Sequence, residues 1–102
     1  MNITLYQVNP TRGKDSLFMS LAWLREKGMA VDPSIYDKVW DGEVDASDLE
    51  RVFAIFNADN RPNSYTGRSM SVSDVVGVES PDGSWQHYFC DTIGFVIVPF
   101  ST

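Results

Sequence analysis

The sequence predicts an α+β domain: an N-terminal strand, two to three helices, then a C-terminal antiparallel three-strand meander, with the helices packed on one face of the sheet. Three observations predict it. Apolar residues alternate at the start of the chain, take helical spacing through the middle, and return to strand spacing after Ser69. Turn signals separate these stretches, at Asn9-Pro10, Gly28 and Ser80-Pro81-Asp82-Gly83. The length of 102 residues and a hydrophobic content of 43% suit one domain, residues 1–102, with one core.

Ile3 to Val8 reads as the opening strand, closed by Asn9-Pro10. Lys14 to Lys27 carries the stripe Leu17, Leu21 and Leu24, with Phe18 and Ala22 beside it, and predicts the first helix. Asp15 or Ser16 can cap its start, and Gly28 supplies the left-handed stop. Asp32-Pro33 is a second helix start, because proline at the first helical position loses no hydrogen bond. A short helix is expected there, turning Ile35, Tyr36, Val39 and Trp40 inward before Gly42. A third helix is expected from Asp45 to about Asn57, with Leu49, Val52, Phe53 and Phe56 on its apolar face.

Ala58 to Ser69 is rich in Asn, Pro, Ser, Gly, Asp and Arg and reads as a surface loop. The meander follows. Asp74 to Glu79 and Ser84 to Cys90 flank the Ser80–Gly83 turn, and Phe95 to Val98 is the last strand. The middle strand should place Trp85, His87 and Phe89 on one face and Tyr88 and Cys90 on the other.

Composition narrows function more by exclusion than by assignment. One cysteine, Cys90, allows no internal disulfide, and the start Met1–Tyr6 has neither a basic stretch nor a long apolar one, so a reducing cytoplasm is expected. The longest apolar run, around Phe95–Phe100, is too short to span a bilayer. A net charge of −6 argues against direct contact with nucleic acid or an anionic membrane. That charge is local. Asp32, Asp37, Asp41, Glu43, Asp45, Asp48 and Glu50 lie in one segment with a single base, Lys38, while the rest of the chain is neutral. Helix capping accounts for Asp32, Asp45 and Asp48, but not for Asp37, Asp41, Glu43 or Glu50.

Nothing in the residues fixes a reaction. A Cys-His nucleophile pair needs the two groups within hydrogen-bond reach, and His87 and Cys90 point to opposite faces of one strand. His87 and Asp91 share a face but stand about 13 Å apart on a straight strand. A zinc site at His87 would need further ligands from the acidic segment, whose spacing predicts none, and Asp41-Gly42-Glu43-Val44-Asp45 lacks the spacing and closing Glu of a calcium loop. Glycine-rich phosphate loops, Gly-x-Ser-x-Gly and His-Glu-x-x-His are absent from the sequence. No catalytic residue, metal or cofactor is expected, and the chain reads as a non-enzymatic protein.

Four stretches carry a family resemblance in their order and spacing: Asp32-Pro33-Ser34-Ile35-Tyr36-Asp37, Gly42-Glu43-Val44-Asp45, Ser69-Met70-Ser71-Val72-Ser73-Asp74-Val75-Val76 and Tyr88-Phe89-Cys90-Asp91-Thr92-Ile93-Gly94-Phe95. Together they resemble the YodL-like domain of Firmicutes and their mobile genetic elements, from about Leu5 to Val98. The resemblance implies a domain found alone or within larger element-borne proteins, often in neighbourhoods concerned with conjugation and evasion of host defence. It carries over no catalytic residues. Ser71-Val72-Ser73-Asp74 is the strongest signature, and its Ser and Asp side chains suit a turn that bonds its own backbone and launches a strand.

The expected function is protein binding. The first expectation is an inhibitor of a host defence nuclease, of anti-CRISPR or anti-restriction type. Its acidic face, with Asp37, Trp40, Asp41, Glu43, Asp45, Asp48 and Glu50, would dock on a basic nucleic-acid enzyme. The alternative is a regulator of a host cytoskeletal or cell-shape protein, bound through an aromatic patch at Trp40 or Trp23.

Overall fold

The computed structural model describes residues 1–59 and 61–101. Its elements are β1 (Asn2–Val8), α1 (Leu21–Glu26), a 3-10 turn at Pro33–Ile35, β2 (Tyr36–Glu43), α2 (Leu49–Phe56), β3 (Val75–Glu79), β4 (Trp85–Cys90) and β5 (Phe95–Val98). The strands form one antiparallel sheet in the order β2-β1-β3-β4-β5. The α+β class holds, and β3, β4 and β5 form the expected meander. The sheet has five strands, because the segment expected as a second helix is β2.

A β-bulge explains that difference. Leu5 pairs with Trp40 and Tyr6 with Lys38, so Val39 is an extra residue in β2. The insertion breaks the two-residue alternation and leaves apolar side chains at 36, 39 and 40, a spacing that imitates a helix. The start signal at Asp32-Pro33 is genuine but short-lived. Asp32 accepts a hydrogen bond from the Ser34 N–H at 2.9 Å, and the 3-10 turn stops after Ile35. Tyr, Val and Trp then favour the pleated state.

The first helix is also shorter than expected. Residues 10–18 form turns, and only Leu21–Glu26 is helical, capped by Ser20, whose side chain accepts from the Trp23 N–H at 3.1 Å. Tertiary contacts override the helical pattern upstream. Gly13 is buried so tightly that a Cβ there would lie 2.5 Å from Val8. Phe18 takes φ 65° and donates its N–H to Ser73 Oγ at 3.0 Å. Gly28, at φ 68°, ends the helix as expected. The third predicted helix forms with its cap at Asp48 instead of Asp45.

The helices do not share a sheet face. Val52 and Phe56 of α2 pack with Ile3, Leu5 and Val76. Leu21 and Leu24 of α1 pack with Val8, Val75, Phe89 and Val98. Leu5 pairs with Val76 and Tyr6 with Val75, and successive strand residues point to opposite sides, so the two clusters lie on opposite faces. The expectation of a one-sided sheet fails because Val75 and Val76 are adjacent and both fully buried, which requires cover on both sides.

Candidate functional site: the acidic β2 edge

β2 is an edge strand, and the acidic segment runs along it and into α2. The strand's alternation, shifted by the bulge, distributes these side chains. Asp37 pairs with Gln7 and Trp40 with Leu5, which places both on the α2 face. Lys38, Asp41 and Glu43 pair with Tyr6, Thr4 and Asn2, which places them on the α1 face. The acids therefore surround the edge and do not form one flat surface.

Four of them carry local duties. Asp37 accepts from Arg12 Nη2 at 2.7 Å and Asn9 Nδ2 at 2.9 Å, and these donors hold its carboxyl below the usual range. Asp41 forms an exposed ion pair with Lys38 at 3.0 Å. Asp48 caps α2 by accepting from the Arg51 N–H at 2.8 Å, and Glu50 sits in that helix's first turn, where the macrodipole favours a negative charge. Glu50 also borders a depression shared with Phe53, Cys90 and Phe95. Glu43 and Asp45 are exposed.

Trp40 serves the fold. Its indole N–H donates to Ser64 Oγ at 2.8 Å, and its ring packs edge-on against Phe56 with centroids 5.1 Å apart. Trp23 is half-buried against α1's cluster, with Lys27 over its ring at 5.8 Å. Trp85 is the tryptophan most available to a partner, at 43% exposure. Sequence reading favours Trp40, which lies inside the acidic segment, and Trp23, which falls off the Leu17-Leu21-Leu24 stripe. The signal for Trp85 was nearby all the same: Gly77, a glycine inside a strand, marks close approach by another group.

His87 and Cys90 stand on opposite faces of β4, as their spacing requires. His87 packs against Phe100 and Tyr6, with centroids 5.1 and 6.0 Å away, and burial lowers its pKa. Burial pushes the Cys90 thiol up to about 12, which leaves it protonated and unreactive near neutral pH. Among the described residues, no three His, Cys, Asp or Glu side chains converge to hold a metal ion. None of the described helices is long and apolar enough to cross a membrane.

A second polar assembly lies inside the molecule, at the Ser71–Asp74 turn. Asp74 Oδ2 accepts from the Ser71 N–H and from Gln7 Nε2, both at 3.0 Å. Ser73 takes φ 85°, and its carbonyl accepts from the Tyr36 hydroxyl at 2.7 Å. Gln7 also donates to the Tyr65 hydroxyl at 3.0 Å and the Arg68 carbonyl at 2.9 Å, while Tyr65 donates to that same carbonyl. The turn thus bonds its own backbone and launches β3, as its sequence suggests. It also ties β1, β2 and the loop before it to one buried point.

The molecule is an α+β domain with an antiparallel sheet, an acidic edge and a polar knot at the start of its central strand. A family profile described as the YodL-like domain matches residues 2–100, essentially the whole chain, and the protein belongs to that family. Comparison with curated proteins and with solved structures gives no match.

Proposed function

We propose that this YodL-like domain is a cytoplasmic protein-binding module of a mobile genetic element. It inhibits a host defence nuclease by laying its acidic β2 edge on a Lys- and Arg-lined surface. One observation carries this reading: Asp37, Asp41, Glu43, Asp45, Asp48 and Glu50 lie on an edge strand and the helix start after it, where Lys38 is the only base before Arg51, so this stretch carries −5 of the chain's net charge of −6. A sheet edge with this charge attracts basic surfaces at long range and repels nucleic acid and anionic lipid. Trp40 contributes as a brace under the edge, since its indole is already bonded to Ser64.

The test uses the full chain against purified DNA nucleases of anti-CRISPR or anti-restriction interest, with cleavage inhibition measured at about 0.1 M and 0.5 M salt. Inhibition at low salt, lost at high salt and lost in the variant Asp41→Asn, Glu43→Gln, Asp45→Asn, Asp48→Asn, is the expected result. Inhibition that survives all four neutralisations would overturn the acidic-edge mechanism. Asn still caps a helix, so the Asp48 change spares α2.

A further inference from the structure

The α1 side of the sheet is only half covered. Helix α1 packs over Val8, Val75, Phe89 and Val98, towards one end of the strands. The other end presents two rows of side chains. Glu43 pairs with Asn2, Asn2 bonds Glu79 through Nδ2 at 3.0 Å, and Glu79 pairs with Trp85, so these four residues cross β2, β1, β3 and β4 in order. Asp41, Thr4, Gly77 and His87 form the adjacent row. At this end Asn2, Asp41, Glu43 and Trp85 are exposed.

Gly77 shapes this surface. A Cβ there would lie 3.4 Å from Trp85 Cε3 and 3.2 Å from the His87 ring. The missing side chain lets the indole lie down over β3 instead of standing in solvent. The result is an aromatic floor beside a shallow depression of about 290 Å³, bordered by Asn2, Thr4, Asp41, Glu79 and Trp85. Three carboxylates, of Asp41, Glu43 and Glu79, face this half of the sheet against one side-chain ammonium, of Lys38, which pairs with Asp41, while the Met1 ammonium at the same end donates to the Val44 carbonyl at 3.0 Å. Across strands about 4.8 Å apart, Glu79 is the immediate neighbour of Trp85, and Glu43 lies two strands further on.

We propose that this half-face reads an arginine side chain of a protein partner. The guanidinium stacks on the Trp85 ring, and the Glu79 carboxylate takes its N–H groups. Asp41 and Glu43 supply the wider attraction. Arginine fits better than lysine, because its plane matches the indole and its fork matches a carboxylate. The inference rests on the reading that this domain binds a basic protein surface, and it names the part of the molecule that makes the specific contact.

The test is an NMR titration of the ¹⁵N-labelled full chain with two blocked peptides of equal charge, Gly-Arg-Gly-Arg-Gly and Gly-Lys-Gly-Lys-Gly. The arginine peptide is expected to shift the Trp85 indole and the Gly77 and Glu79 amides, and to bind several-fold tighter than the lysine peptide. Trp85→Ala should weaken it about tenfold, and Glu79→Gln should weaken it by a smaller factor. Both are surface changes, and an unchanged amide spectrum elsewhere verifies the fold. Equal affinity for the two peptides, no shift with either, or shifts confined to Asp45–Glu50 that ignore Trp85→Ala would each overturn the arginine site. Nuclease inhibition retained in Trp85→Ala but lost on neutralising the four acids would remove this site alone and leave the acidic-edge reading standing.

Discussion

Asp74 is 1% exposed, and its Oδ1 has no hydrogen-bond partner, while Oδ2 receives two. Burial raises its pKa from 3.8 to about 6, against the pull of Gln7, the Ser71 N–H and Arg68. The folded protein therefore holds this proton more tightly than the unfolded chain. Its contribution to stability is full below about pH 4, falls as pH rises towards 6, and is level above that, a change of roughly 3 kcal/mol. Urea melts of wild type and Asp74→Asn between pH 4 and 7 isolate the effect, because the other carboxylates are common to both. The stability difference should drift against the wild type as pH rises to 6; a constant difference would show that Asp74 does not titrate in this range. At the same knot, Tyr36→Phe removes the donor to the Ser73 carbonyl and should cost about 1–2 kcal/mol. The Ser71–Asp74 turn was legible because its residues act within four positions of one another. Gln7, Tyr65 and Arg68 were not, since the Gln7–Arg68 bond spans 61 residues and leaves no local pattern.

Strands bounded by turn signals were read correctly, whereas the helical stripe through Leu17 was overridden upstream of Leu21 and β2 departs from strand alternation. β5 matches its expected bounds, and β1, β3 and β4 differ by one residue at their starts, because short apolar, β-branched or aromatic runs bounded by turn signals such as Pro-Asp-Gly define them. β2 was misread because its bulge breaks the alternation that identifies a strand. Deleting Val39 should consequently be tolerated. It removes the extra residue and leaves Lys38 opposite Tyr6 and Trp40 opposite Leu5, on the faces they hold now, so Trp40 keeps Phe56 and Tyr36 keeps Phe100. Cooperative unfolding in circular dichroism melts is expected to survive, with a loss of about 1 kcal/mol from the half-buried Val39 side chain, and a variant that no longer unfolds cooperatively would show that the twist of the bulge is required. The start of α2 was ambiguous in sequence because Asp45 and Asp48 are both good capping acids. The structure uses Asp48, so Asp48→Ala should lower stability by about 1 kcal/mol in urea titrations, while Asp45→Ala changes it little.

At the scale of the molecule, the acidic segment was legible as a charge pattern, but its shape was not. Whether seven acids make one face or wrap an edge depends on strand pairing, and the register of β2 against β1 is not encoded locally. The same long-range pairing decides where stability concentrates. β1 begins the chain yet lies inside the sheet, between β2 and β3, and β3 is the middle strand of five. Ile3, Leu5, Val75 and Val76 are at most 1% exposed, and the knot at Asp74 fastens Gln7 of β1 to the start of β3. β5 has one open side, and its Ile97 is exposed. Opening β1 or β3 exposes both buried faces of the sheet at once, so their amides should exchange only through global unfolding, whereas β5 can detach locally. Hydrogen exchange followed by NMR should therefore find the slowest amides at Leu5 and Val76, with β5 faster by an order of magnitude or more. Exchange from β1 as fast as from β5 would mean that the N-terminal strand can leave the sheet, and that the polar knot fails to hold it.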